Sequence, residues 1–416
     1  MKDKINNANS RKKVFLISGG AGRIICALPA FAKYLKVHGD NFYIVSQSGI
    51  EFFLGTELQD ITFDPAHKGL FKNIIKDNTI VNLEPYQEHG YYNQESSLTE
   101  SFDKLINGTN DHGDLEKAKI VLSKTEEITA QDVIAEVIKQ QGKEKTIVIQ
   151  PFGRNSKQHK GGHVVDSTSR SLSTDDYFYI SERIRKYYNV ISMTEIKFDN
   201  DDNMYVDCNL RQWAAIIDAA DYFVGVDSCG QHMAYAFDKP GSVILGSTFA
   251  ENISYPKHFN IIEKENYVKE YSPIRLEGVD SELADRKNDT ALDFTKGEIE
   301  DLKNKILKDI ENKIGAGGKA KKAVINDTYF DDEIIPKYFP DRKKGAPKAH
   351  RGSKKGFNQL IDDDKTIDVD ESIAPIGLGS GGPATNLISD PDILGHIKTQ
   401  KKKKSIDKVL EKNNIK

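Results

Sequence analysis

The stretch YFVGVDSCGQHMAYAFDKPGSVIL, residues 222–245, decides the fold class of this chain. It begins with a continuous apolar run, passes through a short polar turn into a helical pattern, and ends in a second apolar run. Continuous apolar runs, rather than alternating ones, are typical of strands in a parallel sheet that has helices on both faces. The stretch therefore predicts a strand, a turn, a helix and a strand of an α/β domain.

The same alternation extends on both sides of this stretch. In the first third of the chain, strand-like runs lie at 13–18, 41–47, 61–64, 80–83 and 119–123, and helical patterns at 24–37 and 130–141. The pattern then restarts, with strands at 146–152 and 189–193 and helices at 174–187 and 210–220. Such alternation predicts two doubly wound parallel sheets, in domains that cover residues 1–144 and 145–296.

The sequence changes character after residue 296. Residues 297–314 form a helical pattern with one apolar stripe. From 315 to 416 the chain is rich in Lys, Asp, Gly and Pro, with few aromatic residues and little periodicity. This composition predicts a polar, irregular tail that is disordered or becomes ordered against a protein partner, and the sequence leaves both readings open.

Composition limits the classes of function. A formal net charge of -4 in 416 residues provides no basic excess of the kind that nucleic-acid binding requires. The three cysteines show no Cys-x-x-Cys spacing, so we expect a reducing, cytoplasmic compartment and neither a disulfide framework nor a metal site. No apolar run is long enough to cross a membrane, so we expect no transmembrane segment.

Three polar loops follow predicted strands at their carboxyl ends, where open α/β sheets bind ligands. The first is the glycine turn GGAG at 19–22, whose Gly20 and Gly22 precede a helix N-terminus that attracts anions. The second loop, PFGRNSK at 151–157, offers a phosphate the residues Gly153, Ser156 and Lys157. The third contributes the residues Asp227, Ser228, Cys229, Gly230 and His232.

Each loop also has a purely structural interpretation. The glycine turn is an incomplete G-x-G-x-x-G fingerprint, and the charges of the second loop suit a solvated surface. In the third loop, Asp227 or Ser228 suits a helix N-cap, and His232 suits a core position. Three such loops divided between two domains favour a shared cleft.

The third loop carries a family resemblance. Residues 224–248 resemble the nucleotide-binding signature of the ADP-heptose:lipopolysaccharide heptosyltransferases, V-G-x-D-[ST]-x-x-x-H-x-A-x-A-x-x-x-P. Residues 13–36 resemble the first strand, glycine turn and helix of that family, and residues 147–158 resemble its phosphate loop. The resemblance implies a GT-B fold, in which two Rossmann-like domains face one cleft and the helix at 297–314 crosses back toward the first domain.

The resemblance also implies the chemistry. The family carries out an inverting, metal-independent transfer of a sugar from a nucleotide-sugar to an acceptor, here a saccharide or a protein. The nucleotide-sugar is a donor substrate, so no cofactor is expected. By the same resemblance, the third loop holds the donor and Ser156 and Lys157 help to bind its phosphates.

Arg23 is where this sequence departs from the family. An aspartate follows the glycine of the first turn in the family, whereas a guanidinium cannot accept a proton near neutral pH. We expect Arg23 to bind an anionic group beside the helix N-terminus. Asp103, Glu84 and His89 are possible substitutes for the base, and spacing does not choose among them.

Two hypotheses of function therefore stand. The first is an active glycosyltransferase, and the second is a catalytically inactive GT-B-fold protein that serves as a binding or structural component of a larger assembly. A nicotinamide-dependent dehydrogenase ranks third, because the glycine fingerprint is incomplete and no suitably placed ribose-binding carboxylate follows it.

Overall fold

The computed structural model of this chain describes residues 11–153, 156–158, 164–166, 170–198, 201–265, 267–269 and 291–319. All of them belong to one compact unit. The predicted tail lies outside the described residues from residue 320 onward. None of the helices in the described part of the chain is long and apolar enough to cross a membrane.

The first domain is built on a four-stranded sheet. Its strands are β1 (Lys13–Ile17), β2 (Phe42–Ser46), β3 (Thr62–Phe63) and β4 (Thr79–Leu83). Its helices are α1 (Ala21–His38), α2 (His89–Tyr92) and α3 (Leu98–Asn107). All strands are parallel, in the order β3-β2-β1-β4, and α1 packs closely on α3.

The second domain has a main sheet of six parallel strands and a separate pair of short strands. Its strands are β5 (Thr146–Gln150), β6 (Lys157–Gln158), β7 (Val164–Val165), β8 (Asn189–Ser192), β9 (Met204–Tyr205), β10 (Tyr222–Val226), β11 (Gly241–Leu245) and β12 (Asn260–Glu263). The helices that follow α3 are α4 (Lys124–Gln141), α5 (Thr174–Arg185), α6 (Leu210–Ala219), α7 (Cys229–Ala236), α8 (Ala250–Ile253) and α9 (Lys296–Ile314). The main sheet has the order β12-β11-β10-β5-β8-β9, and β6 pairs with β7 separately.

The predicted fold class, two Rossmann-like parallel sheets in α/β domains, is confirmed. β5, β10 and β11 are buried along their whole length, as their continuous apolar sequences predict. The two domains also share a hydrophobic core cluster, which joins α1 of the first domain to α6 and α7 of the second.

The predicted strand at 119–123 is wrong. These residues form no strand, although Ile120 is buried and the side chain of Val121 packs on Gly55. The carbonyl oxygen of Val121 accepts a hydrogen bond of 2.6 Å from Arg211. Ile120 is apolar because tertiary contacts bury it, and no sheet ladder includes the run.

Two helices pack on other partners than the sequence and the resemblance lead one to expect. α4, which the sequence assigns to the first domain, packs on α6 and contacts β5 and β8. α9, which the resemblance expects to cross toward the first domain, buries its apolar stripe in the core cluster of the second sheet. Beyond α9 the chain reaches the end of α4, where the Gly318 carbonyl accepts a 2.9 Å hydrogen bond from the Glu144 amide.

Arg211 ties α6 to two segments that come earlier in the chain. Its Nε and Nη2 atoms donate to the two carboxylate oxygens of Glu126 at 2.8 and 2.7 Å, and Nη1 donates to the carbonyl oxygen of Glu51 at 3.2 Å. The hydrogen bond from Arg211 lowers the pKa of Glu126 to about 2. This bidentate ion pair fixes α4 on α6.

We expect Arg211→Gln to lower the free energy of unfolding by about 2 kcal/mol, because it removes hydrogen bonds to a partly buried carboxylate. Denaturant unfolding measures the change. The matched control is Lys139→Gln, whose ion pair with Glu136 is largely exposed and which should change the free energy by less than about 1 kcal/mol. Equal effects of the two substitutions would contradict the assigned role of Arg211.

The same ion pair predicts a pH dependence. Because the pKa of Glu126 falls from 4.5 to about 2 on folding, its stabilising contribution is complete above pH 4.5 and disappears as the pH falls toward 2. The difference in unfolding free energy between the unmodified chain and Glu126→Gln should therefore shrink over this range. A difference that stays constant between pH 5 and the acid transition would count against the pair.

Candidate functional site

The first and third loops meet where α1 and α7 begin. Gly20 is the N-cap of α1 and Ser228 is the N-cap of α7, and neither N-cap residue caps its helix with its own side chain. A Cβ atom on Gly22 would lie 2.7 Å from Cδ2 of His232 and 3.4 Å from Cα of Cys229. Glycine therefore allows the two helices to touch at their N-terminal ends, and α7 fills the space beside Gly22.

His232 belongs to this contact between the domains. Its Nδ1 atom lies 2.9 Å from the Tyr255 hydroxyl and 3.4 Å from Sγ of Cys26 on α1. Burial lowers the pKa of His232 to about 4 and raises the pKa of the Cys26 thiol to about 12. Both groups are therefore neutral near pH 7, so they do not form a thiolate-imidazolium pair.

Gln150, at the end of β5, occupies the start of α7. Its Oε1 atom accepts a 2.9 Å hydrogen bond from the Gly230 amide, and its Nε2 atom donates to Oγ of Ser228 at 3.1 Å. Nε2 also lies 3.8 Å from Sγ of Cys229. This role could not be predicted from the sequence, because a glutamine in a buried strand has no distinctive spacing.

Asp227 lies beside a guanidinium that sequence reasoning missed. Its Oδ2 atom is 3.9 Å from Nη1 of Arg170, while its Oδ1 atom accepts a 3.3 Å hydrogen bond from Gln231. Burial opposes the charge of Arg170, but the carboxylates of Asp227 and Asp166 outweigh it and raise the pKa of Arg170. The Arg170 side chain keeps 28% of its surface exposed.

The second loop is a closed turn. Oγ of Ser156 donates to the Gly153 carbonyl at 2.7 Å, and the Gly153 amide donates to Oγ of Ser171 at 2.8 Å. Lys157 is exposed on β6 and forms no ion pair with another described residue. Gly153 and Ser156 therefore shape the loop, and Lys157 is the member whose charge faces solvent.

Two hydroxyl groups follow β11 without protein partners. Oγ of Ser247 and Oγ1 of Thr248 are buried, and no hydrogen bond reaches them from the described residues. β10 pairs with β11 at Val226 and Ile244, so these hydroxyls lie in the turn next to Asp227. A buried hydroxyl without a hydrogen-bond partner lowers the stability of the fold by about 1–3 kcal/mol. A ligand that provides oxygen acceptors would offset this loss.

The positive charge of Arg23 is balanced by a carboxylate of the same chain. Its side chain folds over the glycine turn, and its Nη2 atom donates to the Leu83 carbonyl at 2.6 Å and to Oε2 of Glu84 at 3.1 Å. The guanidinium also stands 5.1 Å from the ring centroid of Tyr86. The expected anionic group beside Arg23 is thus the carboxylate of Glu84.

The structure distinguishes the three possible substitutes for the base. Asp103 is fully buried and contacts Lys33 at 3.1 Å and His112 at 2.7 Å, so it neutralises an internal charge cluster. His89 is exposed, 3.9 Å from Glu95. Glu84 alone of the three contacts Arg23. Within the described chain, no group of three His, Cys, Asp or Glu residues is arranged to hold a metal ion.

We expect Gly22→Ala to lower the free energy of unfolding by about 1–3 kcal/mol, because the new methyl group must displace His232. Gly297→Ala on α9 is the matched control, since nothing lies within 4 Å of an added Cβ atom there. The control should leave the free energy unchanged or raise it by about 1 kcal/mol through helix propensity. Denaturant unfolding compares the two, and similar losses would rule out the close contact at Gly22.

Comparison with known proteins gives structural likenesses only. No protein family and no curated protein matches the sequence. A glycosyl transferase family 9 protein from Veillonella parvula is similar in structure at 12% identity and a TM-score of 0.42, over 61% of this chain and 85% of that chain. An iron-containing dodecameric glycosyltransferase from enterotoxigenic E. coli shows 11% identity and a TM-score of 0.47, over 73% and 78%.

The ADP-heptose lipopolysaccharide heptosyltransferase II of E. coli shows 12% identity and a TM-score of 0.36, over 71% of this chain and 99% of that chain. Identities and TM-scores this low leave substrate and reaction to be argued from the residues of the site. The solved structures that this chain is similar to include glycosyltransferases of the heptosyltransferase kind, the family that its sequence resembles.

Proposed function

We propose that this chain binds a nucleotide-sugar through its second domain and transfers the sugar to a saccharide or protein acceptor in an inverting, metal-independent reaction. The observation that carries the proposal is the pair of buried hydroxyls of Ser247 and Thr248, which have no partner among the described residues and lie beside Asp227. They lie at the carboxyl end of parallel strands, which is where open α/β sheets bind nucleotides. Three free cysteines suit a cytoplasmic location.

The charges of the site suit a diphosphate. The N-terminal end of α7 carries a partial positive charge, and Arg170 adds a full positive charge on the same side of the sheet. Asp227 holds the guanidinium of Arg170 in place, so this cation is already oriented before a ligand arrives. An oriented guanidinium can form two parallel hydrogen bonds with phosphate oxygens.

These groups also suit the departure of the diphosphate. In an inverting transfer, the acceptor oxygen attacks the anomeric carbon while the bond to the diphosphate oxygen breaks. Negative charge then grows on the leaving group, next to Arg170 and the α7 amides. Fixed positive groups at this position lower the barrier without a metal ion.

Ser247→Ala tests the donor site. It removes a buried hydroxyl that lacks a protein partner, so the ligand-free protein should become more stable, while affinity for the preferred nucleoside diphosphate should fall about fivefold. Thermal unfolding and calorimetric titration with ADP, UDP, GDP and CDP measure the two effects. Opposite changes in stability and affinity are the signature of a hydroxyl that serves a ligand.

Ser254→Ala is the matched control, because Oγ of Ser254 is equally buried and unpartnered among the described residues but follows α8 and no strand. It should raise stability and leave nucleotide affinity unchanged. If the folded protein binds no nucleoside diphosphate and no nucleotide-sugar at millimolar concentration, the proposal fails.

A catalytically inactive binding protein is the second candidate. The burial of Arg23 against Glu84 and the core cluster shared by the two domains both favour a rigid module. In this case the tail at 315–416 would attach the module to a larger assembly. Nucleotide-sugar binding without hydrolysis or transfer, together with loss of assembly when residues 321–416 are removed, would favour this candidate.

A further inference from the structure

Transfer to a hydroxyl group needs a residue that accepts the proton of the acceptor, and the carboxyl edge of the first sheet offers two carboxylates. Asp64 follows β3 at the far end of the sheet, where its Oδ1 atom accepts a 2.7 Å hydrogen bond from the Ala66 amide. Glu84 follows β4, which pairs directly with β1, with Leu83 opposite Ile17. Glu84 is therefore the carboxylate next to the glycine turn.

A series of contacts leads from Glu84 in the first domain to the start of α7 in the second domain. It pairs with Arg23, the residue after Gly22, and Gly22 touches the start of α7. Tyr86 follows Glu84 by two residues. The guanidinium of Arg23 lies over the Tyr86 ring, and Tyr86 also interacts electrostatically with Arg170. Glu84 thus lies near the proposed donor site but belongs to the opposite domain.

The side chain of Glu84 is held in one orientation and keeps part of its surface exposed. Oε2 contacts Arg23 at 3.1 Å, and Oε1 accepts a 3.3 Å hydrogen bond from the Tyr86 amide. Together the two contacts fix the direction of the carboxylate, with Oε2 on Arg23 and Oε1 on the Tyr86 amide. The side chain keeps 9% of its surface exposed, whereas Asp103 keeps none.

We propose that Glu84 is the general base of the transfer reaction, an inference that rests on the proposed function. The acceptor hydroxyl gives its proton to a carboxylate oxygen of Glu84 as the acceptor oxygen bonds to the anomeric carbon. The bond between that carbon and the diphosphate oxygen breaks, and its electron pair leaves with the nucleoside diphosphate. Arg23 is a positioning residue, which holds Oε2 and acts only through Glu84.

Glu84→Gln tests the assignment, because it keeps the size of the side chain and removes the proton acceptor. Release of nucleoside diphosphate is measured with a panel of nucleotide-sugars, with water and free monosaccharides as acceptors. Turnover should fall by at least about 100-fold, while affinity for the nucleoside diphosphate stays within about twofold. The acidic limb of the pH profile of kcat/KM should also disappear, which a merely structural carboxylate would not cause.

Glu88→Gln is the matched control. Glu88 is similarly buried, with 5% of its side chain exposed, pairs with Lys104 at 2.5 Å and accepts a 3.1 Å hydrogen bond from the Tyr91 amide. Its variant should keep turnover within about threefold and retain the acidic limb. If Glu84→Gln does not fold, Glu84→Asp replaces it and should retain the acidic limb at reduced turnover.

Three results would overturn the assignment. The first is full turnover in Glu84→Gln, and the second is an equal loss in Glu84→Gln and Glu88→Gln. The third is an unmodified protein that binds nucleotide-sugars and turns over none of them, which refutes a base at Glu84 and leaves donor binding intact. Absence of any donor binding would instead refute the proposed function, and the base with it.

Discussion

The contact between α1 and α7 at Gly22 is the constraint on which the rest of the structure depends. It brings the starts of two helices from different domains within van der Waals distance, which a side chain at residue 22 would prevent. Around it, Cys26, His232 and Tyr255 form a buried, neutral set of hydrogen bonds, and the core clusters of the two domains merge. This contact places the glycine turn of the first domain next to the loop that carries Asp227.

Charge compensation is the second organising feature of the site. At the site, each domain places a cation beside a carboxylate, with Arg23 on Glu84 in the first domain and Arg170 near Asp227 in the second. Neutral pairs of this kind can be buried at moderate cost, whereas a single charge cannot. The two pairs differ in geometry: the first is closely hydrogen-bonded, while the second is separated by 3.9 Å and partly exposed. The second guanidinium is therefore the more exposed of the two.

The elements that sequence predicted well are those whose burial is complete. β5, β10 and β11 are covered on both faces, so most of their residues are apolar or small, with Gln150 at the end of β5 as an exception. The run at 119–123 has a similar apolar centre, but its contacts come from Gly55 and Arg211 and from no described strand, which periodicity cannot distinguish from a sheet. α4 shows the same limit, because its amphipathic pattern specifies a buried face without saying which sheet covers it.

The sequence by itself determined the two parallel sheets, the loops at their carboxyl ends and the turn that carries Asp227 and His232. These are local properties, since strand and helix patterns depend on residues that are near one another in the chain. Only the tertiary structure decided what those loops contact: Arg23 meets Glu84 across 61 residues, and His232 meets Cys26 across 206. Such pairs depend on strand order and on the packing of one domain against the other. Neither of these produces a periodic pattern in the sequence.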